Sequence, residues 1–178
     1  MARTADPDLP ARILKSAERL WQAGGDAKVT IRGVAENAGT TTPTVYSYFA
    51  DRDALLAALR AEAYRRFSTF MKASRDFDHC CELYLQFGER NARDYELLYG
   101  QGWRERADLE RMQLESEVIP AMLARGGMEP GLATRRGYAI MMMLHGAVMQ
   151  RLSSHRSGPL WSKIRSACLE ACKELAKP

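Results

Sequence analysis

The chain has 178 residues, 46% of them hydrophobic, which is enough for one small module and one larger core. Its formal charge of +4 and pI near 9.0 favour a polyanionic partner only weakly. The longest unbroken apolar run, residues 139–144, is far short of the roughly 20 residues a membrane span requires. Nothing at the N-terminus reads as a signal peptide, so a soluble cytoplasmic protein is expected.

Residues 11–24 form an amphipathic helix, with Ile13, Leu14, Ala17, Leu20 and Trp21 on one side. Gly24-Gly25-Asp26 ends it. Thr30 can cap a second helix whose apolar face is Ile31, Val34, Ala35 and Ala38. Gly39 stands where that helix must stop, because a left-handed residue costs glycine almost nothing. Thr41 then caps a short third helix, and Pro43 falls in its first turn, where a missing N–H does no harm. Val45 and Phe49 face inward, and Asp51 is placed to cap the next helix, which carries Leu55, Leu56 and Leu59. Two short helices a glycine turn apart, the second opened by hydroxyls, make a helix-turn-helix pattern.

The third helix has few apolar residues, and these face one way. Thr41, Thr42, Thr44, Tyr46 and Tyr48 are therefore free to point outward. Such side chains can hydrogen-bond phosphates or base edges of DNA. Arg32, at the start of the second helix, could pair bidentately with guanine. Lys28 is a phosphate candidate in the preceding loop, and Arg12 and Lys15 of the first helix suit either a phosphate or a solvated face. Residues 1–56 carry seven basic groups (Arg3, Arg12, Lys15, Arg19, Lys28, Arg32, Arg52) and seven acidic ones (Asp6, Asp8, Glu18, Asp26, Glu36, Asp51, Asp53). The module is neutral overall, so a basic face must come from placement.

The run A-x-x-A-G-T-T-T-P-T-V-Y-S-Y-F-A-D-R-D-A-L, starting at Ala35, resembles the DNA-binding domain of the TetR family of bacterial repressors. In that family the segment typically reads A-x-x-A-G-V-S-x-x-T-L-Y-x-H-F-x-x-K-E-x-L. Here Thr40 replaces the usual Val, Thr41 the Ser, Tyr48 the His and Arg52 the Lys. The resemblance covers about the first third of the chain. It implies that Arg52 keeps a charge that clamps a phosphate, and that the chain acts as a homodimer on a near-palindromic operator. The division expected is a DNA-binding domain over residues 1–56 and an effector-binding and dimerisation domain over 57–178.

A fourth helix is expected from Arg52 to about Lys72, since Leu55, Leu56, Leu59, Ala63, Phe67, Phe70 and Met71 keep helical spacing. Beyond it the periodicity predicts helices from Cys80 to Arg90 and from Asp94 to Tyr99. Another starts at about Ala107, interrupted at Pro120 and ended at Gly126-Gly127; the last two are opened by Pro130 and Pro159. No alternating strand pattern appears, so the fold class is all-α.

The segment Y-L-Q-F-G-E-R-N-A-R-D-Y-E-L-L-Y-G, residues 84–100, together with Leu144-His145-Gly146, loosely resembles one TetR subgroup's effector domain. That likeness implies a cavity for a small apolar or aromatic effector. Its candidate lining is Tyr84, Phe87, Tyr95, Tyr99, Trp103, Met141, Met142, Met143, His145 and Met149. By spacing alone each of these would simply fill a core. The last two helices are expected to form the dimer contact, through Leu160, Trp161, Ile164, Ala167, Cys168, Ala171 and Leu175 in one. Tyr138, Met141, Met142, His145, Val148, Met149 and Leu152 do so in the other, with Gly137 and Gly146 permitting close approach.

Cys80, Cys81, Cys168 and Cys172 contain no C-x-x-C pair, and adjacent Cys80 and Cys81 point to different sides of a helix, which is poor geometry for one tetrahedral ion. The chain also lacks G-x-S-x-G, P-loop, H-E-x-x-H and G-x-G-x-x-G motifs, so no enzyme, cofactor or metal is expected. A thiol-based redox sensor acting on DNA remains the alternative reading.

Overall fold

A computed structural model describes residues 6–100, 106–154 and 158–178. The described residues are helical throughout, with turns between them and no strand. The helices are α1 (Leu9–Gly24), α2 (Ile31–Ala38), α3 (Thr42–Tyr46), α4 (Arg52–Met71), α5 (Phe77–Arg90), α6 (Ala92–Tyr99), α7 (Arg106–Arg125), α8 (Pro130–Ser154) and α9 (Pro159–Ala176). The chain divides into two compact units, residues 1–66 with 93–98, and residues 67–92 with 99–178.

In the first unit α1 buries Leu9, Ile13, Ala17 and Trp21, and α2 buries Val34, Ala35 and Ala38. Val29, Val45, Leu55 and Leu59 complete this core. Of α3 only Val45 is buried. Residues 93–98, from α6, also belong to this unit. Trp21 Nε1 donates to the Arg93 carbonyl at 2.7 Å, and Gln22 Nε2 donates to Asp94 Oδ1 at 3.1 Å. Asp94 is one of two buried polar residues in the chain's described part, and Arg66 meets it with Nε at 2.7 Å and Nη2 at 2.9 Å. Arg66 Nη1 also pairs with Glu18 at 2.8 Å. A carboxylate can be buried here because three donors satisfy its oxygens.

In the second unit α7 packs on α8, α8 on α9, and α5 on both α8 and α9. Gly88 of α5 is buried against Val148 of α8, and a Cβ added there would overlap the valine methyls. Trp161 of α9 donates Nε1 to Glu89 of α5 at 2.9 Å and lies 5.3 Å from the Arg151 guanidinium. At the far end of the same helix pair, Lys173 meets Asp78 at 3.2 Å.

α1 and α6 each begin two residues earlier than the sequence reading, at Leu9 and Ala92, and two further differences have a clear physical cause. α5 starts at Phe77 rather than Cys80, because Asp76 accepts from the His79 N–H at 2.8 Å and caps an earlier turn. α7 runs through Pro120 without a break. The proline removes one helical hydrogen bond, but its ring is buried against α8 where Gly137 has no side chain; a Cβ there would come within 2.5 Å of Pro120 Cγ. That packing offsets the local cost.

Candidate nucleic-acid interface

The local chemistry expected of the two-helix motif is present. Thr30 is extended (φ −109°, ψ 146°), and its hydroxyl accepts from the Gly33 N–H at 3.1 Å. Gly39 is left-handed (φ 64°, ψ 41°), and the N–H groups of Gly39 and Thr40 return to the Glu36 and Ala35 carbonyls. Thr41 is extended and caps α3 by accepting from the Thr44 N–H at 3.4 Å; the two hydroxyls also bond each other at 2.8 Å. Asp51 accepts from the Ala54 N–H at 2.7 Å at the start of α4. Each such cap contributes about 1 kcal/mol, so the sharp turn between α2 and α3 is held at both of its ends.

This turn leaves a face of hydroxyls and phenols in solvent. Tyr46 is 52% and Tyr48 40% exposed, the largest apolar groups left open in the first unit. Thr41 is exposed, while Thr42 and Thr44 are half-buried. Lys28 is exposed in the 3-10 turn Asp26–Lys28, its stem lying along Gly24. Arg32 projects from α2 and is engaged by Glu36 one turn on, Nε to Oε1 at 2.9 Å. That hydrogen bond and the glutamate's charge hold the Arg32 guanidinium above its ordinary pKa. Arg52 is placed differently. Its Nε donates to the Val29 carbonyl and its Nη2 to the Asp26 carbonyl, both at 2.7 Å, with the Asp26 carboxylate at 2.9 Å.

In the second unit the sequence candidates separate. Phe67 is met edge-on by Tyr84, Phe87 and Tyr99, at centroid distances of 5.9, 5.0 and 6.4 Å, and Tyr99 meets His145 at 5.2 Å. Sequence reasoning placed Phe67 on the fourth helix but gave it no part in this cluster, although its spacing alone marked it as apolar-facing. Met141 is buried, and His145 and Met149 are half-buried. Burial lowers the His145 pKa. Tyr95 is fully buried and belongs to the first unit, and Met142 is 64% exposed. Tyr138, one turn before Met142 on α8, is exposed as well. Trp103 lies outside the described residues.

The four cysteines are free. Cys172 of α9 is hydrogen-bonded to Cys168 and to Cys81 of α5. The bond from Cys168 favours its thiolate, but the bond to Cys81, burial and the Asp78 charge outweigh that and push it up to about 12. The hydrogen bond to Cys172 and burial likewise raise Cys168, and burial raises Cys80. Protonated, buried thiols are poor nucleophiles. Among the described residues no group of His, Cys, Asp and Glu is placed to hold a metal ion, and no helix is long and apolar enough to cross a membrane.

Two capped helices joined by a left-handed glycine, the second presenting hydroxyls and phenols to solvent, define a helix-turn-helix protein of the all-α class. Residues 13–59 match the family described as bacterial regulatory proteins, tetR family. This stretch is therefore similar to the N-terminal region of that family. It is 36% identical over 58 residues to the HTH-type transcriptional regulator EthR of Mycolicibacterium smegmatis, an alignment covering 33% of this chain and 27% of that protein.

Likeness of the whole chain extends to solved structures. The regulatory protein SCO4313 superposes with a TM-score of 0.79 at 22% identity, over 96% of both chains. The multidrug binding protein EbrR, complexed with imidazole, gives 0.70 at 22% identity, over 97% of this chain and 92% of its own. A TetR-family transcriptional regulator from Rhodococcus sp. gives 0.70 at 18% identity, over 96% and 100%. These superpositions establish a shared fold.

Proposed function

We propose that this chain is a ligand-responsive transcriptional repressor that binds a near-palindromic operator as a homodimer. The observation that carries the reading is the solvent-facing side of α3, capped by Thr41 and lined by Thr42, Thr44, Tyr46 and Tyr48 on a TetR-family domain. The N-terminal residues of a recognition helix reach base edges in the major groove, and hydroxyls bond either bases or phosphates. Lys28 contacts the phosphate backbone, and Arg32 reads a base after leaving Glu36. The contact residues are thus Lys28, Arg32, Thr41, Thr42, Thr44, Tyr46 and Tyr48.

Dimerisation runs through α8 and α9. Support comes from Tyr138, Met142 and Leu160, which are 46%, 64% and 48% exposed, and from Gly146, which has nothing within 4 Å of an added Cβ. Apolar groups of this size on neighbouring helices suit burial against a second copy. The effector is a small apolar or aromatic molecule received near Tyr84, Phe87, Tyr99, Met141, His145 and Met149. EbrR is named for multidrug binding, which fits an aromatic-lined site of this kind. The ligand favours a spacing of the recognition helices that no longer matches successive major grooves.

The test is selection of binding sites from random duplex DNA with the purified protein at moderate salt. Enrichment of a near-palindrome with half-sites about one helical turn or more apart supports the reading. Absence of any enriched sequence, from protein shown by mass spectrometry to carry no bound small molecule, refutes it.

A further inference from the structure

We propose that Arg52 is a positioning residue for DNA recognition, fixing the 26–30 segment and the start of α2, rather than a clamp on a phosphate. The inference rests on the DNA-binding reading above and deepens it. Arg52 is the first residue of α4, yet its guanidinium reaches back 23 residues to the Val29 carbonyl and 26 to that of Asp26. The Asp26 carboxylate, 2.9 Å from Nη2, supplies the countercharge. The helix-turn-helix lies between these attachment points in sequence, so Arg52 closes it into a ring.

What the ring holds matters for the interface. Val29 is fully buried, and the next residue, Thr30, caps α2 through Gly33. Lys28 precedes it, with its N–H bonded to the Gly25 carbonyl. Release of the Val29 and Asp26 carbonyls would loosen Lys28, the Thr30 cap and the entry to Arg32 together. The planar fork of arginine can serve two carbonyls and a carboxylate at once, whereas a lysine ammonium offers charge without that fixed geometry. A phosphate would have to compete with three partners already in place.

The two roles separate by rescue and by salt. Wild type, Arg52→Ala and Arg52→Lys would be compared on the selected near-palindrome and on a scrambled duplex, at a temperature where circular dichroism shows all three folded. The positioning role predicts that both variants weaken the selected duplex about tenfold or more, as one misplaced base contact would. Binding to the scrambled duplex stays within about twofold and the salt slope within about half a unit. Amide hydrogen exchange at Val29, Thr30 and Ile31 accelerates in both variants. The inference is overturned if Arg52→Ala weakens both duplexes alike and lowers the salt slope by about one, while Arg52→Lys restores wild-type behaviour. Unchanged exchange at residues 29–31 in both variants overturns it as well. The exchange result stands without DNA, so failure of the wild type to prefer any duplex refutes the DNA-binding reading separately.

Discussion

Replacing Asp94 by alanine tests how the α6 segment is held in the first unit. The carboxylate is almost wholly buried and receives Arg66 Nε at 2.7 Å, Arg66 Nη2 at 2.9 Å and Gln22 Nε2 at 3.1 Å. Removing one partner of a buried ion pair costs about 3–5 kcal/mol. Arg66 is 31% exposed and keeps Glu18 at 2.8 Å, so its charge is neither fully buried nor left alone, and the lower end applies. We expect a loss of about 2–3 kcal/mol. With a urea slope of about 2 kcal/mol/M, the midpoint should fall by about 1–1.5 M. Urea titration followed by far-ultraviolet circular dichroism measures this. An Arg66→Met variant and the double variant complete the cycle, in which the pair should show a coupling of about 1–2 kcal/mol. A midpoint shift under about 0.3 M, or strictly additive losses, would refute the account of Asp94 as the polar anchor of this unit.

Glu36→Gln should tighten DNA binding by about two- to fivefold and steepen its salt dependence, because Arg32 is released and a like charge is removed from the phosphates; fluorescence anisotropy at several salt concentrations measures it, and weaker binding would contradict the placement of Arg32. Gly88→Ala should cost about 1–3 kcal/mol in thermal unfolding, since its methyl overlaps Val148. Gly146→Ala, mid-helix with open space around it, should stabilise the isolated chain by about 0.5–1 kcal/mol, yet weaken self-association in sedimentation equilibrium if α8 closes on a second copy. His145 has a folded pKa below its ordinary value because burial disfavours the charged form, so the unfolded chain binds its proton more readily. Its contribution to stability is therefore fully present above the unfolded pKa of about 6.5 and is lost as pH falls from there through the depressed folded value. Denaturation midpoints of His145→Gln between pH 7.5 and 5 should fall less than those of the wild type, and parallel curves would remove His145 from that effect.

The helix-turn-helix was legible because its signals are local. Thr30, Gly39, Thr41, Pro43 and Asp51 each act on backbone within a few residues, and each is found in the conformation or bond its chemistry demands. Periodicity likewise located the long helices of the second unit. What it could not foretell was set by contacts distant in sequence. Pro120 read as a break because its partner, Gly137, lies seventeen positions on in another helix. Helical spacing also does not say which of two cores an apolar face enters, and Tyr95 is buried in the first. Asp94 had no sequence signal at all, since only the arrival of Gln22 and Arg66 makes a buried carboxylate tolerable. Nor does the sequence show that Arg52, expected to clamp a phosphate, meets carbonyls 23 and 26 positions back.

On the proposed DNA-binding reading, the first unit would divide the work of recognition between different residue types. α3 carries no charged side chain over Thr42–Tyr46, and its exposed face is hydroxyl and phenol. Such groups contribute to sequence preference, and little to the counterion release that dominates non-specific affinity. The positive charge lies outside α3, on exposed Lys15, Arg19, Lys28 and Arg32, and the last is partly neutralised by Glu36. With Arg52 matched by Asp26, the module has few uncompensated cations to offer a phosphate backbone. Its salt slope should consequently be shallow for a dimer, and its affinity should depend on how accurately α2 and α3 are set against the groove. In a domain so arranged, the proposal predicts that substitutions at residues that fix backbone, such as Arg52 and the two threonine caps, will weaken DNA binding more than substitutions at residues that add charge.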